Sequence, residues 1–437
     1  MTRVRSGFIF GETRCVMGTG ELWCGSNETI ASGTIAAMTS DATPSTGARA
    51  VFCLCAAEVL TMVGVFSFPA LLPRFVSEWS LSNTEAGWIS GVVFAGYTVS
   101  VLVLTTLTDR MDAKRVYLAG ALLAAISALG FTLTAEGFWS ALAWRALGGI
   151  GLAGTYMPGL KALLDRVSGP RQMRWISFYT ASFSLGTSGS FLITGAMAEA
   201  FGWRAAFGLA AAAAAAAFLL VGFGLPSVKP IPPESKSKPF DFGPVLRNRA
   251  AMGYVLGYSV HVWELFGARS WMVAFLAWVL ASQPGAGGPS PTAIATIGAL
   301  VAMISSIVGA DLAARFDRRQ LCAFAMLSSG ALAATIGFCS GLPYGMVALL
   351  MLLYNALIQI DSAALTTGAL MAADPARRGA TIAVHSLLGF GAGFVGPLAF
   401  GIVLDVSGGA NTGLAWGLAF ASLGAVVALG PLALRLR

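Results

Sequence analysis

Asp109-Arg110-Met111-Asp112-Ala113-Lys114 follows one long apolar stretch of the chain, and Ala314-Arg315-Phe316-Asp317-Arg318-Arg319 follows another, with aligned positions 205 residues apart. A charged turn that recurs at one place in two halves of a sequence marks internal duplication. Outward from these turns the chain is almost continuously apolar. Stretches of about 20 residues, long enough to cross a bilayer core, run over 50–73, 84–108, 115–135, 138–164, 174–198, 204–225, 250–281, 291–314, 320–341, 343–372, 378–404 and 412–434, twelve in all. Lipid offers a backbone no hydrogen bonds, so runs of this length are expected as helices. A second echo supports the duplication: Trp203-Arg204-Ala205-Ala206-Phe207 opens the sixth stretch, and Trp416-Gly417-Leu418-Ala419-Phe420 occupies the matching part of the twelfth.

Composition agrees. Of 437 residues, 56% are hydrophobic and 11% charged, less than half the charge a soluble surface carries. Disorder, a nucleic-acid module and a disulfide-stapled secreted domain are thereby excluded. The net charge of +7 resides in short clusters: Arg110, Lys114 and Arg115; Arg166, Arg171 and Arg174; Lys229, Lys236, Lys238, Arg247 and Arg249; Arg315, Arg318 and Arg319; Arg377 and Arg378; Arg435 and Arg437. They fall in alternate loops, against Arg74 and Arg204 on the other side, so both termini are expected in the cytoplasm. The proline-rich, basic run from Pro226 to Pro239 has no apolar face to bury. It divides the chain into a cytoplasmic tail (1–49), an N-terminal six-helix bundle (50–225), a cytoplasmic linker (226–249) and a C-terminal six-helix bundle (250–437). The tail reads as disordered or as a misassigned start, with Met38 the alternative start. Six cysteines show no zinc spacing, so no metal or other cofactor is expected.

The turn after the second stretch resembles the hallmark of the major facilitator superfamily, Gly-x-Leu-Ala-Asp-Arg-x-Gly-Arg-Lys/Arg, through Leu107, Asp109, Arg110 and Lys114. Thr105, Thr108, Asp112 and Ala113 depart from it. The second copy keeps Leu312, Ala313, Arg315, Arg318 and Arg319 but has Ala314 in place of the acid. Arg145-Ala-Leu-Gly148-Gly149-Ile-Gly151-Leu-Ala-Gly154 resembles the family's helix-4 signature, and the resemblance covers about residues 50–435. It implies an all-α membrane protein whose two pseudo-symmetric bundles rock about a central cavity lined by helices 1, 4, 7 and 10. It also implies that Asp109 and Arg110, with Lys114, Arg315, Arg318 and Arg319, belong to a cytoplasmic gate.

Ionisable groups in hydrocarbon are costly, so each is a candidate functional site. Glu58 lies in the first stretch, Arg145 in the fourth, His261, Glu264 and Arg269 in the seventh, and Asp361 in the tenth, beside Asn355 and Gln359. Arginines offer charge-assisted hydrogen bonds to a carboxylate, which makes Arg145, His261, Glu264, Arg269, Asn355 and Gln359 the substrate-binding set. Glu58 and Asp361, carboxylates in a cavity, are the candidate proton carriers. The expected protein is a monomeric secondary active transporter of a small polar, anionic metabolite, proton-coupled, in the lipid bilayer of a bacterial inner membrane, with no nucleic-acid partner. Efflux of amphiphilic or drug-like compounds and uncoupled facilitation are the alternatives. An enzyme is not expected: the two histidines are far apart, and neither a nucleophile–base set nor a Walker motif is present.

Overall fold

Proline decides the first departure from these expectations. The computed structural model describes residues 14–18, 21–25, 44–168, 171–229, 242–285 and 287–436. In it the first apolar stretch is not one helix but α1 (Pro44–Met62), a turn, and the short helices α2 (Ser67–Ala70) and α3 (Leu72–Glu78). Pro69 has no N–H for the Val65 carbonyl, and Pro73 none for that of Pro69, so the ladder cannot run through.

The remaining helices of the first half are α4 (Asn83–Leu107), α5 (Ala113–Thr134), α6 (Phe138–Leu164), α7 (Gln172–Phe201) and α8 (Trp203–Gly224). After the linker come α9 (Gly243–Arg247), α10 (Arg249–Ala281), α11 (Pro291–Arg315), α12 (Arg318–Ile336), α13 (Tyr344–Gln359), α14 (Ser362–Ala372), α15 (Arg378–Val406), α16 (Gly413–Val427) and α17 (Gly430–Ala433). The tenth stretch is thus split at Ile360 and Asp361. Among the described residues, nine helical segments are long and apolar enough to cross a membrane. They coincide with the second, third and sixth to twelfth stretches. The other three are helical but less apolar or shorter: α1 ends at the proline break, α6 carries Arg145 and Lys161, and α7 is rich in serine and threonine.

In the separate unit at the chain start, β1 (Arg14–Gly18) and β2 (Glu21–Gly25) pair antiparallel, Arg14 opposite Gly25. The rest of the tail, with Met38, and linker residues 230–241, with Lys236 and Lys238, lie outside the described residues. Within the stretch read as linker, α9 buries Val245.

Helix starts follow capping chemistry. Ser82 and Glu85 form a capping box on α4. Asp112 caps α5 by accepting from the Lys114 amide, and Asp317 caps α12 by accepting from that of Gln320. These two aspartates are aligned in the repeated turn, so the duplication seen in the sequence is a structural one.

Small residues set how closely the helices approach. A Cβ on Gly120 would sit 2.7 Å from Gly154 Cα, and one on Gly149 would overlap the Val93 carbonyl. The helix-4 glycines therefore seat α6 against α4 and α5. Helices α1–α8 pack among themselves, as do α9–α17, and the two sets meet through α4 with α15, α7 with α11, and α10 with α2 and α3. Contacts joining the sets cluster toward the end that holds Asn83 and Asp405. There Gly87 abuts Pro397, Gly91 abuts Phe394, Ser188 Oγ donates to the Thr296 carbonyl at 3.1 Å, and Phe94 stacks on Phe266 with ring centroids 3.8 Å apart.

Candidate functional site

The break after α1 leaves carbonyls without helical partners, and the buried Arg145 of α6 takes two of them. Its Nη1 donates to Gly64 O at 3.1 Å and its Nη2 to Val65 O at 2.7 Å, the carbonyl that Pro69 cannot serve. Its Nε has no partner. An ion pair between Arg145 and Glu58, the simplest pairing of the buried charges, is therefore not made.

Glu58, fully buried on α1, accepts instead from the Tyr179 hydroxyl at 3.0 Å through Oε2, and its Oε1 is unpartnered. Tyr179 sits on α7 and is also within reach of the Thr155 and Tyr156 carbonyls of α6. Three helices thus converge on one carboxylate.

In the second set the break between α13 and α14 presents Asp361 to α10. Asp361 Oδ1 lies 2.8 Å from His261 Nδ1, with both side chains at most 2% exposed. The contact is an ion pair only with the imidazole protonated, and Asp361 Oδ1 and His261 Nε2 have no hydrogen-bond partner. Tyr258, one turn before His261, stacks on the His385 ring of α15 at 3.8 Å, and His385 Nε2 meets Thr366 Oγ1 at 3.3 Å. His385 is accordingly buried in this cluster.

Other polar residues of the substrate set are engaged locally. Glu264 accepts from Ser329 at 2.8 Å and from Tyr354 at 3.1 Å, which ties α10 to α12 and α13. Asn355 donates to the Met351 carbonyl at 2.9 Å and contacts Met272 Sδ at 3.4 Å. Gln359 Oε1 is unpartnered, and Arg269, 3% exposed, has no carboxylate within ion-pair distance among the described residues.

Where the two sets meet, Tyr97 of α4 stacks on Phe390 of α15 with ring centroids 3.9 Å apart, and its buried hydroxyl has no partner. Sequence reasoning missed Tyr97 and Tyr179 because an aromatic ring in an apolar helix carries no cost that marks it.

At the repeated turn Asp109 and Arg110 are exposed, whereas Asp112 is the organising residue. Arg166 Nη2 contacts both of its oxygens, at 3.0 and 3.2 Å, and the Val228 amide donates to it at 2.8 Å. Burial raises the proton affinity of this carboxyl, but the Val228 and Lys114 amides and the Arg166 guanidinium outweigh it and hold Asp112 below the usual carboxylate range. Lys114 Nζ donates to the Gly222 and Leu225 carbonyls at 2.8 and 2.6 Å, capping the end of α8. In the other half Arg319 lies over the Tyr254 ring at 5.5 Å, Arg318 contacts Met371, and Arg315 is exposed.

Comparison with known proteins places this geometry. The family profile described as Major Facilitator Superfamily matches residues 54–431. Among curated proteins, protein spinster homolog 3 of Danio rerio is 24% identical over 307 residues, 64% of this chain and 61% of that protein. An uncharacterized MFS-type transporter, YcaD, of Salmonella enteritidis is 27% identical over 143 residues, 33% of this chain and 37% of that one. The chain thus matches less than two thirds of the length of these relatives. A bacterial homologue of the human lysosomal transporter Spinster, solved inward-facing and occupied, superposes with a TM-score of 0.69 at 18% identity over 90% of this chain and 95% of the other. A mutant of the nucleoside transporter NupG does so with 0.70 at 14% identity, over 88% and 100%.

Proposed function

The chain belongs to the major facilitator superfamily, and on that premise we propose that it is a secondary transporter moving a small polar, anionic solute by alternating access, coupled to protons. The reading rests first on Arg145 and Arg269, two buried guanidiniums with no carboxylate partner among the described residues. A buried cation left without an anion costs several kcal/mol, and a bound carboxylate or similar anion would offset that. Both keep an unpartnered Nε, and Gln359 and His261 each hold a free polar atom for the rest of the solute. Glu264 and Asn355 are assigned to holding α10 and α13 in place rather than to solute contact.

Proton coupling is assigned to Glu58 and Asp361. Neither is neutralised by an arginine, so each can exchange a proton as the cavity is wetted or filled. Asp109, Arg110, Arg315, Arg318 and Arg319 are kept as gate charges at the cytoplasmic face, with both termini on that side.

The test is reconstitution in liposomes with an imposed pH gradient and a panel of labelled carboxylates, cations and amphiphiles. Gradient-driven accumulation of an anion, diminished in Arg269→Gln, is the expected result. Transport of cations alone, or indifference to the gradient, refutes the corresponding part of the proposal. The cavity beside Arg145, lined by Thr61, Ser127, Phe131, Phe207 and Ala210, is only about 40 Å³, room for about one water molecule.

A further inference from the structure

We propose that Asp405 is the latch of the gate at the end opposite the repeated charged turns, and that it sets which face of the protein is closed at rest. Asp405 sits in the last turn of α15, and its carboxylate is not used by its own helix. Oδ1 accepts from the Asn83 amide at 3.1 Å and from Asn83 Nδ2 at 2.8 Å; Oδ2 accepts from the Thr84 amide at 2.7 Å and the Thr84 hydroxyl at 2.6 Å. Asn83 and Thr84 are the first two residues of α4, whose amides have no helical acceptor. One carboxylate from the second half thus takes four donors at the start of a helix in the first, where the helix dipole favours negative charge.

The surrounding seam makes this contact possible. A Cβ on Gly401, one turn before Asp405, would overlap the Asn83 carbonyl; further along, Gly396 lies against the Trp263 carbonyl, and Gly87 and Gly91 of α4 meet the Pro397 and Phe394 carbonyls. Trp271 Nε1 donates to that Pro397 carbonyl at 2.9 Å, which joins α10 to the same seam. Glycine on both helices allows the backbones to touch, and only at such a separation can a short aspartate side chain reach the amides of α4. Packing alone would hold α4 to α15 without direction. The carboxylate adds a contact that is complete in one arrangement and lost once the helices part, as a two-position gate requires.

The inference uses the alternating-access reading only for the meaning of the movement, and its test needs no solute. Spin-label pairs are placed in full-length protein in liposomes, in a background lacking native cysteines. One pair, at Ser77 and Asn411, spans the end near the latch, and the other, at Arg115 and Gln320, spans the opposite end; all four residues are exposed. Charge-assisted hydrogen bonds of this number lead us to expect a rise on the order of tenfold in the open fraction at the latch end for Asp405→Asn. The Ser77–Asn411 distances should lengthen while the Arg115–Gln320 distances shorten. Gly401→Ala, which pushes the same seam apart without touching charge, should act in the same direction. Unchanged distances in Asp405→Asn overturn the proposal. So does lengthening of both pairs together, which would mean a loosened fold rather than a released latch. Failure of solute transport in the earlier assay leaves this readout intact, so the two ideas fail separately.

Discussion

His261 Nδ1 and Asp361 Oδ1 stand 2.8 Å apart between α10 and the junction of α13 with α14. The break that splits the tenth apolar stretch therefore places a carboxylate beside the only imidazole in α10. At the same break the Ile360 carbonyl lies against Gly309 of α11, where no side chain would fit. Pair and break support one another, and a change at either should be felt at both.

Removing one partner leaves the other buried and uncompensated. His261→Phe should lower stability by about 3–5 kcal/mol, read as a lower thermal midpoint in detergent. The double variant His261→Phe with Asp361→Asn should lose less than the sum of the two single changes, since the one contact is then removed only once. Strictly additive losses would show that the two side chains do not interact.

Arg145 is expected to tolerate no substitution, including lysine. Its planar fork reaches two carbonyls at once, and an ammonium cannot reproduce that geometry. Arg145→Lys should cost about 1–3 kcal/mol through the carbonyls left unmade. Thermal unfolding of the purified protein without solute would measure it; a midpoint equal to the parent's would mean that the α1 break is held by packing alone.

What the sequence disclosed follows the cost of each feature. Charged side chains in apolar helices are costly enough to stand out, so Glu58, Arg145, His261, Glu264, Arg269 and Asp361 were all legible, and each is buried. Apolar length located most helices to within a few residues but ran through the breaks in the first and tenth stretches. Partners were not legible, because they depend on which faces meet. Nothing in the sequence announces that Arg145 donates to the Gly64 and Val65 carbonyls, the second of them freed by Pro69. Only the break had a sequence signal, a proline four residues beyond the orphaned carbonyl. Asp112 stands where the family pattern has glycine and so seemed a lapse, yet it caps α5 and receives Arg166. An aspartate just before a helix-forming run was the available clue. Asp405 gave no such sign, since its donors lie 321 and 322 residues away.

Asp112 also makes a prediction about pH. Its folded-state pKa is lowered, so its contribution to stability is fully present above the unfolded-state value of about 3.9. That contribution is lost as pH falls through the lowered folded value. Asp112→Asn should therefore be less stable than the parent at neutral pH, with the difference narrowing in acid. Thermal midpoints measured across the acid range test this, and a difference independent of pH would remove the electrostatic explanation.

The helix-4 glycines give a steric test. Gly149→Ala places a methyl on the Val93 carbonyl, and backbone cannot yield as a flexible side chain can. The expected loss is of the overpacking kind, about 1–3 kcal/mol, with little folded protein recovered from the membrane. Gly189→Ala is the control, because the nearest atom to its Cβ would be Ile193 Cδ1 at 3.9 Å. Similar behaviour of the two variants would show that composition rather than close approach governs them.

Glu58→Gln separates proton carriage from architecture. Glutamine keeps an oxygen for the Tyr179 hydroxyl, which now donates to Glu58 Oε2 at 3.0 Å, so helices α1 and α7 should stay joined and the thermal midpoint should move little. What is lost is the ability to release a proton. In liposomes the variant should exchange solute across the membrane yet no longer accumulate it against a gradient when a pH difference is imposed. Replacing Tyr179 by Phe does the converse: it leaves the carboxylate titratable but without its donor, and should shift the pH at which transport is half-maximal rather than abolish coupling. Gradient-driven accumulation that persists in Glu58→Gln would transfer the carrier role to Asp361, where Asp361→Asn would then have to abolish it.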